Sequence, residues 1–280
     1  MSPNKNHSNS HRSREFCSRA TTADPCNLAT LSSALDAYCR RYGYDHATAL
    51  DQLVNTTVHF FEWDDQSPSA NVRIGESASI ALFDLMRHFF LVLRTELEHK
   101  PWADLFGDYF MTYGANKKDC GQCFTPDSVC EVLASISMSI DEGNDLDSMR
   151  KYVPGFGMKF VANDCACGSA RLLLAAGALY RRITKRNDIY LTASDIDDRC
   201  CRQAAINILV HGHYGEVICM DTLMGPTSFS HGWIINSGLY PIPYGLPSLQ
   251  YSENPADFFQ LPHGNALVGN PPFTPPPSSN

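Results

Sequence analysis

The stretch 159-KFVANDCACGSARLLLAAG-177 decides the fold class. Its apolar beginning, residues 159–164, predicts a short strand, and the run of leucines and alanines near its end predicts a helix over about 169–186. Small residues connect the two elements. A strand that passes through a short turn into a helix is the repeating unit of a parallel sheet covered by helices. The stretch therefore predicts an α/β fold.

The same pattern continues toward the carboxyl end of the chain. Further strands are predicted at 189–194 (IYLTAS), 215–220 (GEVICM) and 266–270 (ALVGN), with a second helix at about 197–211. Residues 222–265 are rich in Gly, Pro and aromatic residues and show no periodicity. A connection of that length without periodicity is usually functional or mobile, and no strand is predicted in it.

The amino-terminal half differs in composition and in the periodicity of its apolar residues. Residues 1–25 are rich in Ser, Asn, His and Arg, which predicts a disordered tail. Residues 26–118 are predicted to form a helical domain, because apolar residues recur there at spacings of three and four. The clearest examples are Leu31, Ala34, Leu35, Tyr38 and Tyr42. The α/β domain then occupies residues 119–280.

The longest apolar run, Ser77–His99, reaches the length of a membrane span. It contains Asp84, Arg87, His88 and Arg94, however, and charges inside a span are costly in lipid. We therefore expect a soluble and mostly buried helix, with no membrane contact.

Charge and cysteine content narrow the classes of function. The 280 residues carry a formal net charge of −8, which argues against a chain that binds nucleic acid without a local basic surface or a partner. Its 11 cysteines are scattered, and no apolar signal segment precedes them. We expect reduced thiols in a cytoplasmic protein.

Acidic or small residues follow each predicted strand, and ligands of open parallel sheets bind at the carboxyl ends of strands. The first strand ends at Asp164 and leads into the small residues Ala166, Gly168 and Ser169, beside which a ligand can approach the backbone. Asp195 ends the second strand, where a carboxylate can accept hydrogen bonds from ribose hydroxyls. The third strand leads to Asp221. Taken singly, each aspartate is better explained as an ordinary cap, whereas three of them at the ends of three successive strands together favour a ligand site.

The last predicted strand delivers Asn270, Pro271, Pro272 and Phe273. Two adjacent prolines lack N–H groups, so the carbonyl groups beside them can point into a pocket and accept hydrogen bonds from a planar amine. Phe273 can stack on the ring that carries this amine. A turn that begins a proline-rich tail remains the alternative for these four residues.

A further element precedes the α/β region at 121-GQCFTPDSVCEVLA-134. Thr125 is predicted as a helix N-cap with Pro126 at the first helical position. The apolar stripe of this helix is predicted to consist of Val129, Val132, Leu133, Ile136 and Ile140. With this element in place, residues of about 104–280 resemble the N6-adenine DNA methyltransferases, the modification subunits of type I restriction systems and their relatives.

The resemblance implies a Rossmann-like catalytic domain at 119–280 that binds S-adenosylmethionine and double-stranded DNA. It assigns cofactor contacts to Phe124, Thr125 and Pro126, to Asp164, Ala166, Gly168 and Ser169 around the methionine part, to Asp195 at the ribose and to Asp221 at the adenine end. Asn270, Pro271, Pro272 and Phe273 would hold a target adenine that has left the duplex. The methyl group would pass directly to the base nitrogen, with no metal.

The chain departs from this family's pattern in its cofactor loop and after Phe273. Cys165 stands where the family has proline and Ala170 where it has a last glycine, so we expect an added methyl group to crowd the cofactor. Only seven residues follow Phe273, so either a longer polypeptide or a partner chain must supply the remaining strands. An uncovered strand invites association, and we expect an oligomer or a partner subunit.

Two other functions remain open: a catalytically weak scaffold or DNA-binding subunit, and a protein-glutamine methyltransferase. The pair Cys120 and Cys123 lacks a second pair at zinc spacing, so we predict no zinc site there. Four aromatic residues before the last strand can either stack on nucleic acid or cover an apolar edge. They are Trp233, Tyr240, Tyr244 and Tyr251.

Overall fold

The computed structural model describes residues 28–62, 76–114, 125–137, 150–237 and 246–261. Its α-helices are α1 (Leu28–Tyr42), α2 (His46–Phe61), α3 (Glu76–His99), α4 (Leu105–Tyr109), α5 (Asp127–Ser137), α6 (Arg171–Thr184) and α7 (Asp198–Val210). Its strands are β1 (Arg150–Val153), β2 (Gly157–Asp164), β3 (Ile189–Asp195), β4 (Tyr214–Cys219), β5 (His231–Ile235) and β6 (Leu249–Ser252). The predicted α/β class is confirmed.

One mixed sheet of six strands organises the described part of the molecule, in the spatial order β1-β2-β3-β4-β5-β6. Strands β2, β3 and β4 are parallel, and α6 and α7 connect them in sequence. These three strands and two helices are the ones that the sequence predicts, with small shifts at their ends. The fourth predicted strand, 266–270, lies outside the described residues.

Three antiparallel strands were not predicted. β1 pairs with the first half of β2, while β5 and β6 extend the other edge of the sheet beyond β4. No strand was predicted in 222–265, and the structure corrects this with β5 and β6. β5 is short and contains a glycine, and Gln250 and Ser252 interrupt β6 with polar residues. Their pairing depends on contacts with strands distant in sequence, which a local pattern does not reveal.

The amino-terminal helices share one hydrophobic core with the sheet. Leu53 of α2 and Phe89 of α3 belong to the same buried cluster as Leu191 of β3 and Val217 of β4. α3 confirms the predicted helix, although it is buried on one face only, since Ile80 and other apolar residues on its second face are exposed. No helix in the described residues is long and apolar enough to cross a membrane.

Helix α5 corrects two sequence predictions. The carbonyl group of Pro126 accepts the N–H of Cys130 at 3.0 Å, so Pro126, and not Thr125, occupies the N-cap position. The predicted apolar stripe is exposed where the structure describes it; its members there are Val129, Val132, Leu133 and Ile136. The buried residues are Cys130 and Ala134, and Ile140 lies outside the described residues. Small side chains let α5 approach α6 closely.

Candidate functional site

A cavity of about 580 Å³ opens at the carboxyl ends of β2 and β3. The register places Asp164 of β2 beside Ala193 and Asp195 of β3 beside Cys219, so both aspartates lie at the same edge of the sheet. The cavity is lined by Thr125, Asp164, Ala166, Cys167, Gly168, Ser169, Arg171, Leu172, Asp195, Ile196, Asp197, Asp198 and Cys200. Its volume lies in the usual range of small-molecule sites, about 300–1,000 Å³.

Asp195 holds the loop that follows β2 against the end of β3. Its Oδ2 accepts the backbone N–H of Gly168 at 2.9 Å, and its Oδ1 accepts the backbone N–H of Asp197 at 2.9 Å. A carboxylate has about four acceptor positions, so each oxygen retains capacity for a further donor. Asp195 can therefore shape the cavity and bind a hydroxyl group within it.

Asp164 ends β2 and begins the same loop. Its Oδ1 accepts the backbone N–H of Ala166 at 3.1 Å. Burial raises the pKa of Asp164 above its ordinary value; the hydrogen bond from Ala166 lowers it in part, and the nearby charge of Asp195 raises it further. A cationic group in the cavity would offset this repulsion between the two carboxylates.

The amino-terminal end of α6 faces the cavity through Gly168, Ser169 and Leu172. Ala170 is its N-cap residue and provides no side-chain hydrogen bond to the helix. The first N–H groups of the helix are thus suited to a negatively charged ligand group. Ala170 has a φ of 68° and is fully buried, and its side chain does not line the cavity. The expectation that its methyl group crowds a ligand is wrong, because that group packs into the core.

A buried carboxylate from the helical part of the chain anchors the loop. Asp104, with an exposed fraction of 0%, accepts the Ser169 hydroxyl, and its Oδ2 lies 3.1 Å from Arg171 Nε. Its Oδ1 accepts the Gly107 N–H at 2.8 Å and the Asn207 side-chain amide at 2.8 Å. Asp104 therefore joins α4, α6, α7 and the cavity loop.

Arg171 extends this network to two further carboxylates. Its Nη2 donates to Asp108 at 2.5 Å, and its Nη1 donates to Asp127 at 3.2 Å. Burial opposes its charge, but Asp104 and the two other carboxylates raise the pKa of Arg171 above its ordinary value. Sequence reasoning missed this network, because its members lie up to 103 positions apart, as in the pair Asp104 and Asn207.

The other predicted site residues are distributed as follows. The hydroxyl of Ser169 is committed to Asp104, so Ser169 presents mainly its backbone to the cavity. Pro126 and Asp221 are not among the described residues that line it, and Asp221 Oδ1 instead accepts the Leu223 N–H at 3.0 Å. Phe124, Asn270, Pro271, Pro272 and Phe273 lie outside the described residues.

The positions of two hydrophobic residues, Ile196 and Trp233, add to what the sequence predicted. Ile196 lines the cavity directly after Asp195 and is 69% exposed, which offers an apolar wall that sequence reasoning missed. Trp233 is buried, and its Nε1 donates to Glu62 at 2.6 Å, so this residue covers the sheet and is not available for stacking on nucleic acid. Tyr251 packs against Trp233, whereas Tyr240 and Tyr244 lie outside the described residues.

Residues 102–274 match the family model described as N-6 DNA Methylase. The chain belongs to the N-6 DNA Methylase family. The matched region begins just before Asp104 and contains the whole cavity as well as Asn270, Pro271, Pro272 and Phe273. The resemblance stated from the sequence is thus confirmed.

Two solved structures are similar to this chain. One is a Listeria monocytogenes protein assigned to the class I S-adenosylmethionine-dependent methyltransferases, with 12% identity, a TM-score of 0.46, and coverage of 68% of this chain and 50% of that one. The other is the methyltransferase subunit of a type I restriction-modification system from Streptococcus thermophilus, with 16% identity, a TM-score of 0.31, and coverage of 66% and 37%. The chain therefore spans half or less of either structure. No curated protein sequence matches it significantly.

The cavity fits the methyl donor of the N-6 DNA methylase family, S-adenosylmethionine. This molecule carries two ribose hydroxyls, an adenine ring, and an ammonium and a carboxylate on its methionine part. The cavity offers a carboxylate with acceptor capacity at Asp195, a second carboxylate at Asp164, an exposed apolar side chain at Ile196 and a helix end without a side-chain cap. Each part of the cofactor thus has a chemical counterpart.

Proposed function

We propose that this chain binds S-adenosylmethionine and carries out N6-methylation of adenine in DNA, as part of a restriction-modification or related system. The observation that carries the proposal is the pair Asp164 and Asp195 at one cavity, within the region that matches the N-6 DNA Methylase family. The family supports the class of reaction, and the cavity supports the binding of the methyl donor.

The proposal gives each side of the cavity a role. Asp195 accepts the ribose hydroxyls, as acidic residues at the same place do in nucleotide-binding sheets. Asp164 attracts the ammonium group, and the amino-terminal N–H groups of α6 bind the carboxylate. Ile196 provides an apolar surface for the adenine ring, with Thr125 on another part of the lining. Asp221 and Pro126 do not line the cavity, so the segments that carry them would have to move for these residues to contact the same ligand.

The target base is assigned to the last motif by the family resemblance. The bound cofactor supplies an electrophilic methyl group on a positively charged sulfur. Asn270 and Pro271 accept hydrogen bonds from the adenine amine through side-chain and backbone oxygen atoms, and Phe273 stacks on the ring. Pro272 stiffens this backbone. The base must leave the duplex to reach such a pocket, so binding includes the cost of unstacking and unpairing it, about a few kcal/mol.

A direct test combines cofactor binding with transfer of label. The full chain is titrated with S-adenosylmethionine by calorimetry and then incubated with the tritiated cofactor and unmethylated DNA, followed by nucleoside analysis. We expect labelled N6-methyladenine. Asp195→Ala is expected to weaken cofactor binding by at least about 10-fold, because hydrogen bonds to a charged group are worth about 1.5–3 kcal/mol. Asp257→Ala, on the surface away from the cavity, is the matched control.

The outcomes separate the alternative functions. Asn270→Ala is expected to bind the cofactor and to lose transfer, which assigns the motif to the base and not to the cofactor. Binding by the unaltered chain without labelled DNA would favour a scaffold subunit. Label on a protein glutamine would move the chain to another class of methyltransferase.

The proposal includes double-stranded DNA, a protein partner or a second copy of the chain, and a cytoplasmic location. With a net charge of −8, the chain needs a local basic surface or a partner to hold DNA phosphates. None of the seven cysteines in the described residues forms a disulfide, which is consistent with a reducing compartment. Size-exclusion chromatography with and without DNA tests the assembly.

A further inference from the structure

Three side chains with metal-ligating atoms meet beside the cavity. Asp198 is the first residue of α7, Cys219 ends β4 and His231 begins β5. One ligand atom from each residue lies within 4.8 Å of the other two. Cys219 and His231 are directly opposite each other on antiparallel strands, so the backbone fixes their separation. The proposed cofactor contacts do not require Cys219 or His231.

We propose that Asp198, Cys219 and His231 bind a zinc ion. The set offers a carboxylate oxygen, a thiolate sulfur and an imidazole nitrogen, which are the three ligand types that zinc takes in proteins. A carboxylate and a thiolate together neutralise the charge of a divalent ion. Around a tetrahedral zinc ion with bonds of about 2.0–2.3 Å, the ligand atoms lie about 3.3–3.6 Å apart. Asp198 Oδ1 and His231 Nε2, now 2.9 Å apart, would therefore separate slightly, and any wider pair within the 4.8 Å cluster would close.

The surroundings already orient two of the ligands. His231 Nδ1 lies 2.9 Å from the Ser230 hydroxyl, and His231 Nε2 lies 2.9 Å from Asp198 Oδ1. Zinc at Nε2 replaces the second contact and retains the first, in the way that metal-bound histidines keep an outer hydrogen bond. Asp198 Oδ2 is paired with Arg202, which holds the carboxylate in place. Trp233 and Tyr251 pack against the imidazole ring.

The same contacts argue against a nucleophilic cysteine. A Cys–His pair of that kind needs an imidazole nitrogen bonded to the thiol, whereas the Cys219 thiol donates to the carbonyl group of Ile196 at 3.8 Å and the nitrogens of His231 face Ser230 and Asp198. Cys201 is hydrogen-bonded to Cys219, and its thiol also lies 3.4 and 3.5 Å from the carbonyl oxygens of Asp195 and Ile218, so we do not count it among the ligands. We therefore assign three protein ligands and leave the fourth position to solvent. Asp198 also lines the cavity, which gives the ion an entry path.

Cobalt substitution tests the proposal on the full chain. The reduced protein is freed of metal with a chelator and titrated with Co²⁺, and thiolate-to-cobalt charge-transfer absorption is recorded before competition with Zn²⁺. We expect one bound Co²⁺ per chain that depends on these residues. Cys219→Ser and His231→Asn should each lose the absorption band or weaken binding by at least about 10-fold, the lower end of what even an outer contact costs.

The matched controls are other cysteines of the same chain. Cys39→Ser removes a buried thiol in α1, and Cys120→Ser with Cys123→Ser removes the CxxC pair. Both variants should keep the band. Loss of the band in the CxxC variant, or its retention with unchanged affinity in Cys219→Ser, would overturn the proposal.

Circular dichroism of each variant separates metal loss from misfolding. If Cys219→Ser does not fold, Asp198→Asn decides the question, because this side chain is a third exposed and its substitution disturbs no core packing. It must weaken cobalt binding by at least about 10-fold. Unchanged affinity in a folded Asp198→Asn protein contradicts the proposed ligand set. Cofactor binding and methyl transfer are not readouts, so failure here is distinguishable from failure of the proposed function.

Discussion

Asp104 shows how one buried charge can determine the shape of a ligand cavity from outside it. Its carboxylate is fully buried and bonded to Ser169, Arg171, Gly107 and Asn207. A buried charge is tolerated only when it is paired and hydrogen-bonded, and every oxygen of this carboxylate is engaged. The cavity loop thus depends on a residue to which the sequence analysis assigned no role.

We predict that Asp104→Asn lowers the free energy of unfolding by about 3–5 kcal/mol, because it leaves the buried guanidinium of Arg171 short of its main partner. Urea unfolding measures the effect. Asp36→Asn is the control, since Asp36 forms a half-exposed ion pair with His46, and such pairs are worth about 0–1 kcal/mol. Equal losses for the two variants would show that the network does not behave as a buried charge.

His213 introduces a pH dependence of stability. Its side chain is buried, and burial lowers the pKa to about 3 from the ordinary 6.5, with Arg181 and His211 adding to the shift. Between these values the unfolded chain binds a proton that the folded chain excludes, so stability falls as the pH decreases. From about pH 7 to about pH 5.5 the expected loss is about 1 kcal/mol.

Urea unfolding at both pH values measures this term, and His213→Gln is expected to reduce the difference between them. The variant tests how the free energy of unfolding depends on pH. Its absolute value falls for other reasons when a packed side chain changes. A wild-type stability that rises toward pH 5.5 would contradict the assignment of a neutral, buried imidazole.

In helix α5, the face that carries the large apolar residues is not the face that packs against the rest of the protein. Its large apolar residues have helical spacing, yet the contact with α6 is made by Cys130 and Ala134, with Asp127 reaching Arg171 on the same face. The ion pair and the small side chains fix the rotation of the helix. Periodicity alone counts apolar residues without weighing these contacts.

We predict that Ile136→Ser, at a position 64% exposed, changes the free energy of unfolding by no more than about 0.5 kcal/mol. Leu174→Ala on α6 is the comparison, because Leu174 is fully buried and such a truncation costs about 2–5 kcal/mol. Thermal and urea unfolding measure both. A loss above about 2 kcal/mol for Ile136→Ser would mean that this face of α5 is covered.

The strands and helices around Asp164 and Asp195 were predictable because local signals agree there. Apolar strands end in aspartates, and Asp197 caps α7 as its sequence position suggests. β1, β5 and β6 were not predictable, since their pairing comes from distant partners. The candidate site divides in the same way: the cavity carboxylates are visible in the sequence, whereas Asp104, Arg171 and Asn207 come together only through folding.

At the scale of the whole molecule, the described residues contain one large hydrophobic cluster that extends from α1 to β6 and a second, smaller one formed by Ile218, Ile234, Phe258 and Leu261. The division into a helical domain at 26–118 and a catalytic domain at 119–280 stays a prediction, and Asp104 crosses it by bonding to Ser169 and Arg171. The family match also begins at residue 102, ahead of that boundary.

The bonds of Asp104 across this predicted domain boundary affect the design of truncated fragments. A fragment that begins at Phe124 would keep every candidate site residue named from the sequence and would lose Asp104. The buried guanidinium of Arg171 and the hydroxyl of Ser169 would then lack that hydrogen-bond partner. Instability or inactivity of such a fragment would then reflect the missing Asp104 and would not test the proposed methyl transfer.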